Sequence, residues 1–396
     1  MIQLIKSYFI FCLIILFFIG CKQKFLSRPL EEIDNQIKLQ SHNTVNLHFD
    51  QINLSVQSTG EIDGISHDIR DSTSNNSTEF AIYQTGLWVG SESDSNHFAN
   101  IAWVGSSPRS NYTTILSNDS LGVFLLEPNM INNEFINWPF EKGFPMDING
   151  MPEIKGDLMT WSALQSDSIQ IPPLSQPHIN LEFTHSVWGY LDSDYSKTIF
   201  QEYSITNISH KIVNNIFIGF HTDIDINGNN NSTGYDSSRA LVYTYSPFEE
   251  NETFVVGYTF LKFNDETIPT EIVNNHRILR KNTPNNEWNE NGIIGPEQII
   301  FALKGLSNSG QPMINPITGN ETKFAFNGNP ITQTGWIDES LDVRSLLNTN
   351  EFSLYPKSTI YLTVVITIAG GNNLENAIIN LKNKIDNIRL TTELWE

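Results

Sequence analysis

The sequence predicts an all-β protein, an antiparallel β-sandwich with one helix near its C-terminal end. From about residue 43 onward, short apolar runs alternate with polar positions and are separated by clusters of Asn, Gly, Ser, Asp and Pro. Many short strands at such spacing are typical of sandwich folds. One segment instead shows helical spacing. A chain of 396 residues is long enough for one large sandwich or two packed ones.

The first twenty residues predict a signal peptide for export. Lys6 precedes an apolar run from Tyr8 to Ile19, and the small residue Gly20 follows. This run is shorter than the roughly 20 apolar residues that a membrane-spanning helix needs. A charged start, a short apolar middle and a small residue before the cut are typical of a cleaved leader, so residues 1–20 are expected to be removed.

The segment FIGC, residues 18–21, resembles the lipobox of bacterial lipoproteins, in which the cysteine is acylated, with palmitate among its acyl chains, and becomes the new N-terminus. The resemblance implies a lipid on Cys21 and an anchor in the outer membrane, on either its periplasmic or its surface face. Polar residues 21–42 then form a lipidated tether. The alternative is an ordinary secretory signal followed by an incidental cysteine.

Composition limits the classes of partner. Lys and Arg total 23 against 44 Asp and Glu, a formal charge of −21. Nucleic acids attract basic surfaces, so this balance argues against them, and it also argues against broad adhesion to anionic lipid. The second cysteine, Cys12, lies inside the predicted signal, which leaves the mature chain no internal disulfide. Calcium or a neutral sugar fits an acidic exported protein better.

Ten segments predict strands because apolar residues alternate or cluster within them. They are TVNLHFDQINLSV, FAIYQTGLWVG, NIAWVG, LGVFLLE, IFQEYSITN, NNIFIGFHTDIDI, ALVYTY, FVVGYTFLKF, EQIIFALKG and TIYLTVVITIAGG. Loops dominate residues 127–180, and we place a boundary near residue 175. The chain then consists of two β-rich domains or halves, residues 43–175 and 176–396.

The segment NNLENAIINLKNKIDNIRL predicts a helix near residues 373–388. Its apolar residues recur at intervals of three and four, and Asn372 or Asn373 precedes them as a candidate cap. Those apolar residues are Leu374, Ala377, Ile378, Leu381, Ile385 and Ile388. We expect this helix to pack on the sandwich; a partner-binding helix is the alternative.

Several motifs occur in an order that resembles a large, uncharacterised family of exported β-rich proteins of Gram-negative bacteria. They are TGLWVG (85–90), GDLMTW (156–161), YSITNIS (203–209), IGFHTDIDI (218–226), TGYDSSRALVYTY (233–245) and FSLYPKSTIYLTVVITIAGG (352–371). Members often carry a C-terminal sorting tail for type IX secretion. The ending NIRLTTELWE is not such a tail, so the lipid on Cys21 is expected to be the anchor. The resemblance implies fold and location, and no activity.

The stretch GFHTDIDINGNNNSTGYD predicts a calcium site at the end of a strand. In a strand that alternates faces, the residues Ile216, Ile218, Phe220, Thr222, Ile224 and Ile226 would line the core. Acidic and amide side chains would then project from the opposite face. Calcium binds six to eight oxygens from such groups. The candidate ligands are Asp223, Asp225, Asn227, Asn229, Asn231 and Asp236.

An alternative for this stretch is the solvent-facing side of a half-buried strand that runs into a polar turn.

The order Asp-x-Asp-x-Asn-Gly matches the first half of a helix-flanked calcium loop. At the twelfth position, counted from Asp223, the chain has Gly234 where that loop has Glu, and Asp236 lies two residues later. Two neighbouring aspartates on one face repel each other, which favours a cation between them.

Motifs for catalysis are absent from the sequence: there is no H-E-x-x-H and no G-x-S-x-G. The two carboxylates of a glycosidase can lie far apart in the sequence and then form no local motif. The sequence therefore does not exclude an enzyme, although it favours a protein without catalytic activity. Among the tryptophans, Trp138 stands beside Pro139 in the loop-rich region and is the candidate for stacking on a sugar.

These patterns together predict a lipid-anchored cell-envelope protein with a binding or structural role, stabilised by calcium in one hypothesis. Its partners would be the membrane, through the lipid, and a glycan or another envelope protein. The alternative is a surface protein that binds or processes carbohydrate.

Overall fold

The structure is a computed structural model of the chain. It describes residues 44–49, 51–70, 76–93, 96–102, 112–114, 122–127, 145–166, 180–191, 194–226, 231–247, 253–264, 266–267, 272–280, 286–293, 295–338 and 342–392. The predicted signal, the tether with Cys21, Trp138 and the boundary near residue 175 lie outside these ranges.

Strands make up most of the described chain. The first ten are β1 (Thr44–Phe49), β2 (Ile52–Gln57), β3 (Ile62–Arg70), β4 (Asn76–Ser93), β5 (Asn96–Ile101), β6 (Tyr112–Thr114), β7 (Phe124–Leu126), β8 (Leu158–Ser166), β9 (Leu181–Gly189) and β10 (Thr198–Asn207). The others are β11 (Val213–Asp223), β12 (Ser232–Asp236), β13 (Leu241–Tyr245), β14 (Thr253–Phe263), β15 (Glu266–Thr267), β16 (Val273–Arg280), β17 (Met313–Ile314), β18 (Glu321–Thr322), β19 (Val343–Thr349), β20 (Phe352–Leu354) and β21 (Thr359–Gly371).

Two large antiparallel sheets contain nearly all of these strands. Sheet 1 has the order β1-β2-β3-β4-β11-β19-β16, with β5 beside β4 and β20 beside β11. Sheet 2 has the order β12-β13-β14-β21-β10-β9-β8-β6, with β15 beside β14 and β7 beside β8. Strands β17 and β18 pair as a small separate sheet. The prediction of an antiparallel all-β sandwich is confirmed.

One hydrophobic cluster contains inward-facing residues of both sheets. Sheet 1 contributes Ile218 and Phe220 of β11, and sheet 2 contributes Val187, Tyr203 and Leu362. On β1, β2, β11 and β21 every second residue enters this cluster, as the period of two in a pleated strand requires. The predicted core side of β11 is confirmed, because Ile216, Ile218, Phe220, Ile224 and Ile226 all belong to the cluster.

The predicted C-terminal helix is present as α2 (Leu374–Thr392) and packs on the outer face of sheet 2. Asn373 caps it, since its carboxamide oxygen accepts the backbone N–H of Asn376 at 2.9 Å. Gly257 of β14 lets the helix approach, because a Cβ there would lie 2.7 Å from a methyl carbon of Leu381. In the part of the chain that the structure describes, no helix combines the length and apolar character needed to cross a membrane.

The segment EQIIFALKG, predicted as a strand, is instead a helix, α1 (Pro296–Leu303). Pro296 stands at its first turn, where proline favours a helix start, and Glu297 follows in the same turn. The apolar run that resembled a buried strand is the face that α1 buries against the outer side of sheet 1. Short apolar runs of this length do not separate a strand from a buried helix.

Two asparagines fasten the end of α1 to sheet 1. Asn275 of β16 donates from Nδ2 to the carbonyl oxygen of Leu303 at 2.9 Å. Asn348 of β19 donates from Nδ2 to Oδ1 of Asn275 at 2.6 Å, and both asparagines are fully buried. Since the last carbonyls of a helix have no partner within it, these side chains satisfy groups that burial would otherwise leave unbonded.

Candidate functional site

The second face of β11 is covered by protein. Phe217 packs with residues of α1 in a separate apolar cluster, and Gly219 leaves room for the helix, because a Cβ there would lie 2.6 Å from a methyl carbon of Leu303. His221 and Asp223 are only 1% and 3% exposed. The interpretation of this face as solvent-facing is therefore wrong for the end of the strand, where a second layer buries the polar side chains.

The end of β11 forms an acidic centre, which we define as Asp223, Asp225, Asp342, Glu290 and Arg344. Carboxylate oxygens of the three aspartates lie within 4.8 Å of one another. Arg344 contacts three of the acids: its Nε lies 3.0 Å from Asp223 Oδ2 and 3.3 Å from Glu290 Oε2, and its Nη1 lies 2.6 Å from Asp342 Oδ1. Sheet register creates the centre, because Asp223 of β11 is paired with Arg344 of β19.

Negative charge exceeds positive charge in the acidic centre. Burial raises the pKa of Asp223 to about 7; Arg344 opposes this rise, and the neighbouring carboxylates of Asp225, Asp342 and Glu290 add to it. Burial lowers the pKa of Arg344, but the carboxylates around it outweigh burial, with Asp223 first, so the net shift is upward. The pKa of Asp223 therefore rises mainly because its carboxylate is buried, and that of Arg344 rises because four acids surround its guanidinium.

The structure places the six predicted calcium ligands differently. Asp223 and Asp225 share the acidic centre. Asn227 and Asn229 lie outside the described residues. Asn231 is fully buried just before β12, and among the described residues neither its Nδ2 nor its Oδ1 has a hydrogen-bond partner.

Asp236, the sixth candidate, belongs to an ion-pair network under helix α2. Its Oδ2 lies 2.9 Å from Lys382 Nζ and 3.1 Å from Arg239 Nη1. Arg239 in turn binds Asp386 at 2.7 Å. Burial alone would raise the pKa of Asp236, but hydrogen bonds from Ser238 and Lys382 and the two cations lower it to about 2. This carboxylate helps hold α2 on sheet 2.

A second candidate site is a groove on the outer face of sheet 2. Register aligns one row of outward-facing side chains across five strands, in the order Trp161, Ser186, Glu202, Thr363 and Lys262. The alternate positions of these strands enter the hydrophobic core, so this row faces away from it. The groove has a cavity volume of about 530 Å³.

Aromatic rings, hydroxyls and charges line the groove together. Tyr361 is 46% exposed, whereas Trp161 is 1% exposed and forms part of the floor. The hydroxyls of Thr184 and Ser204 are hydrogen-bonded to each other at 2.6 Å. The remaining lining residues are Pro145, Met146, Glu153, Lys155, Met159, Ser186, Glu202, Lys262, Asn264 and Thr363.

An ion pair fixes the carboxylate of the central row. Lys155 Nζ lies 2.6 Å from Glu202 Oε1 and also 5.2 Å from the ring centroid of Trp188. The two partners are 30% and 25% exposed, so the Glu202 carboxylate is oriented while it stays accessible from the groove. A carboxylate held in this way can accept hydrogen bonds from ligand hydroxyls.

Sequence reasoning missed Asp342, Arg344 and Glu290 of the acidic centre and the groove residues around Glu202. Arg344 is 121 positions from Asp223, and only sheet pairing brings them together. For the groove the available signal was the alternation of β10, in which Glu202 and Ser204 stand between apolar residues of the core. That pattern identifies a polar face and does not show which strands lie beside it.

No family model and no curated protein matches this chain. Distantly similar solved structures include a bacterial glucoamylase complexed with acarbose, with a TM-score of 0.40 and 6% identity over 89% of this chain and 35% of that chain. A polysaccharide lyase has a TM-score of 0.36 and 10% identity over 87% of this chain and 35% of that chain. A proposed aldose 1-epimerase from Escherichia coli K12 has a TM-score of 0.35 and 8% identity over 82% of this chain and 98% of that chain. This chain spans about a third of the length of the glucoamylase and of the lyase, and their activities are not transferred to it.

Proposed function

We propose that this chain is an exported, lipid-anchored envelope protein that binds a saccharide in the groove on the outer face of sheet 2. The observation that carries the proposal is the cross-strand row from Trp161 to Lys262, in which a ring, hydroxyls, a carboxylate and an ammonium group face one cavity. The location rests on the predicted signal and on the lipobox-like segment that ends at Cys21.

The size of the groove suits a small ligand. Its volume of about 530 Å³ falls within the roughly 300–1,000 Å³ that is usual for pockets that hold small molecules. Residues of four neighbouring long strands, β8, β9, β10 and β21, supply its floor. A floor made of paired strands keeps its side chains in fixed positions, so little ordering entropy is lost on binding.

The chemistry of the lining suits a polyhydroxylated ligand. Glu202 accepts hydrogen bonds, Lys262 donates them, and the hydroxyls of Ser186 and Thr363 do both. The exposed ring of Tyr361 offers an apolar face with a polar tip, which matches a sugar ring that has one apolar side and hydroxyls at its edge. An apolar ligand would leave these polar groups without partners, at a cost to binding.

A glycan array probed with the full chain tests this function. We expect the wild-type chain to select a defined subset of saccharides. Glu202→Gln, which removes the charge while keeping the shape, should weaken binding by roughly tenfold or more, because hydrogen bonds to charged groups contribute about 1.5–3 kcal/mol. Tyr355→Ala is the matched control, since Tyr355 is 65% exposed and does not line the groove.

Two results would contradict the function: uniform blanks on the array, or binding that Glu202→Gln leaves unchanged.

Release of reducing ends from the selected saccharide, measured in parallel, separates binding from processing. Glu153 and Glu202 line the same groove, and hydrolysis of a glycosidic bond needs two such carboxylates.

We further propose that calcium stabilises the acidic centre. The supporting observation is the set of three aspartate oxygens within 4.8 Å of one another, because hard oxygen ligands at such spacing suit this cation. Arg344 already neutralises part of the charge, and calcium would neutralise more of it.

Thermal unfolding with and without calcium tests this second proposal. The wild-type Tm should rise with calcium, and Asp342→Asn should abolish that response. Asp236→Asn is the control, because this residue lies in the network under α2 and its loss should lower Tm without changing the response to calcium. An identical Tm in calcium and in chelator would leave Arg344 as the cation of the centre.

A further inference from the structure

The groove on the outer face of sheet 2 is longer across the strands than along them. Five neighbouring strands line it, in the order β8, β9, β10, β21 and β14. Because paired strands lie about 4.8 Å apart, the row from Trp161 to Lys262 spans roughly 19 Å. Along each strand the lining residues are only two positions apart, which is roughly 7 Å. An elongated ligand therefore fits the groove with its long axis across the strands.

The strands in the middle of the groove each present a pair of polar side chains. Two positions along from the first row runs a second one, in which Ser204 pairs with Thr184 and with Tyr361. Asn264 continues this second row, because its Oδ1 accepts the backbone N–H of Tyr361 at 3.2 Å. Hydrogen-bonding groups therefore recur with the spacing of the strands, about every 4.8 Å. This interval is close to the advance of one sugar unit along an extended glycan chain.

The volume of the groove also favours a ligand of several units. A single sugar ring would fill only part of the cavity of about 530 Å³ and would leave most of the lining side chains bonded to water alone. With one sugar unit over each interval between strands, the row from Trp161 to Lys262 accommodates about four units.

The charged groups of the groove balance one another. Among the described residues that line it, the charged ones are Glu153, Glu202, Lys155 and Lys262. A polyanionic glycan would place negative groups against the two glutamates, and a polycationic one would meet the two lysines, and like charges in contact oppose binding. The formal charge of −21 on the whole chain adds to the repulsion of a polyanion. The lining therefore favours a neutral glycan.

We propose that the groove binds about four consecutive units of a linear, neutral glycan that lies across the strands. This inference rests on the saccharide-binding function proposed above and specifies its ligand. In this arrangement Ser186 and Glu202 form hydrogen bonds with hydroxyls of the central units. The ring of Tyr361 packs against a sugar face over β21, and Lys262 reaches the unit at one end of the row.

Calorimetric titration of the full chain with oligosaccharides of increasing length tests the proposal. The neutral series are the cello-, manno-, xylo-, chito-, malto- and laminari-oligosaccharides, each from the monosaccharide to the hexasaccharide, and oligogalacturonates are the anionic comparison. In at least one neutral series the affinity should rise by roughly threefold or more for each added unit, because each unit adds hydrogen bonds to the lining. The rise should level off at about four units, where the row of strands ends.

A substitution at the end of the row tests the placement of the glycan. Lys262→Met should weaken binding of the tetrasaccharide by roughly threefold or more and should make the affinity level off one unit earlier, because the last unit loses its partner. Lys323→Met is the matched control. Lys323 is exposed, donates to Oδ1 of Asn274 at 2.7 Å and does not line the groove, so this variant should match the wild type at every length.

The outcomes separate this inference from the function on which it rests. Equal affinity for the monosaccharide and the tetrasaccharide, or a preference for the galacturonates, would overturn the inference and leave saccharide binding intact. Silence of every series beside a positive glycan array would do the same, as would a Lys262→Met variant that behaves like Lys323→Met. Silent titrations together with a blank array would refute the saccharide-binding function itself.

Discussion

Replacing Arg344 by methionine is the sharpest test of how the acidic centre contributes to stability. The side chains of Arg344 and Asp223 are only 6% and 4% exposed, and the Nε–Oδ2 distance is 3.0 Å. Methionine keeps much of the volume and removes the guanidinium. Asp223, Asp342 and Glu290 would then face one another without the cation that they share.

The expected loss is large because the acids stay behind. Removing one partner of a buried ion pair costs roughly 3–5 kcal/mol, since an uncompensated charge is left in a poorly solvated place. The acidic centre has several such charges, so we expect the upper part of that range. For a folded unit of this size the loss corresponds to a Tm lower by about 5 °C.

Urea unfolding of the full chain, followed by tryptophan fluorescence, measures the free energy of unfolding. Lys155→Met is the matched control, because it breaks an ion pair whose partners are 30% and 25% exposed. Such partly exposed pairs contribute about 0–1 kcal/mol. The two variants remove equal charge and similar length, so their difference reports the deeper burial of Arg344 and the larger number of acids that it contacts.

A loss below about 1 kcal/mol for Arg344→Met would refute this reasoning. It would mean that the carboxylates relax into solvent or bind protons without cost, and that the centre is not buried as described. A loss equal to that of Lys155→Met leads to the same conclusion.

Three further predictions follow from burial and charge. Gly219→Ala should cost roughly 1–3 kcal/mol in urea unfolding, since its Cβ would overlap α1. Gly370→Ala should be close to neutral, because a Cβ there would lie 3.8 Å from the carbonyl oxygen of Thr253, an ordinary contact distance. Burial lowers the pKa of His185 and of His276 to about 4, whereas a histidine in the unfolded chain has a pKa of about 6.5. The stability that each neutral histidine contributes is therefore complete above pH 6.5 and is lost as pH falls towards 4. That loss is on the order of 3 kcal/mol for each histidine, and His185→Gln should flatten the dependence of Tm on pH. Asp236→Asn should speed amide hydrogen exchange in α2, because it removes the partner of Lys382.

The sequence predicted the parts of the fold that depend on local pattern. Alternation identified β11 and the side of it that enters the core, and intervals of three and four identified α2 with its cap at Asn373. It failed for α1, whose eight residues carry an apolar run compatible with a strand. Length alone could not separate the two, and Pro296 at the start was the signal that favoured a helix.

The candidate sites were less predictable because they depend on which strands become neighbours. Asp223 and Asp225 were identified from their spacing, yet their cation, Arg344, joins them only through the pairing of β11 with β19. Asp236, a candidate two residues beyond the twelfth position of the loop pattern, lies in a different network, since β12 belongs to the other sheet. The groove combines residues of the consecutive strands β8, β9 and β10 with residues of β14 and β21, which lie far from them in the sequence, so no local motif marks it.

The most direct test of the saccharide-binding proposal is diffraction from crystals of the full chain soaked with the saccharide that the array selects. We predict density for the sugar in the groove, within hydrogen-bond distance of Glu202 and against the ring of Tyr361. Density for the sugar at another surface, with the groove unchanged from the unsoaked crystal, would contradict the proposal.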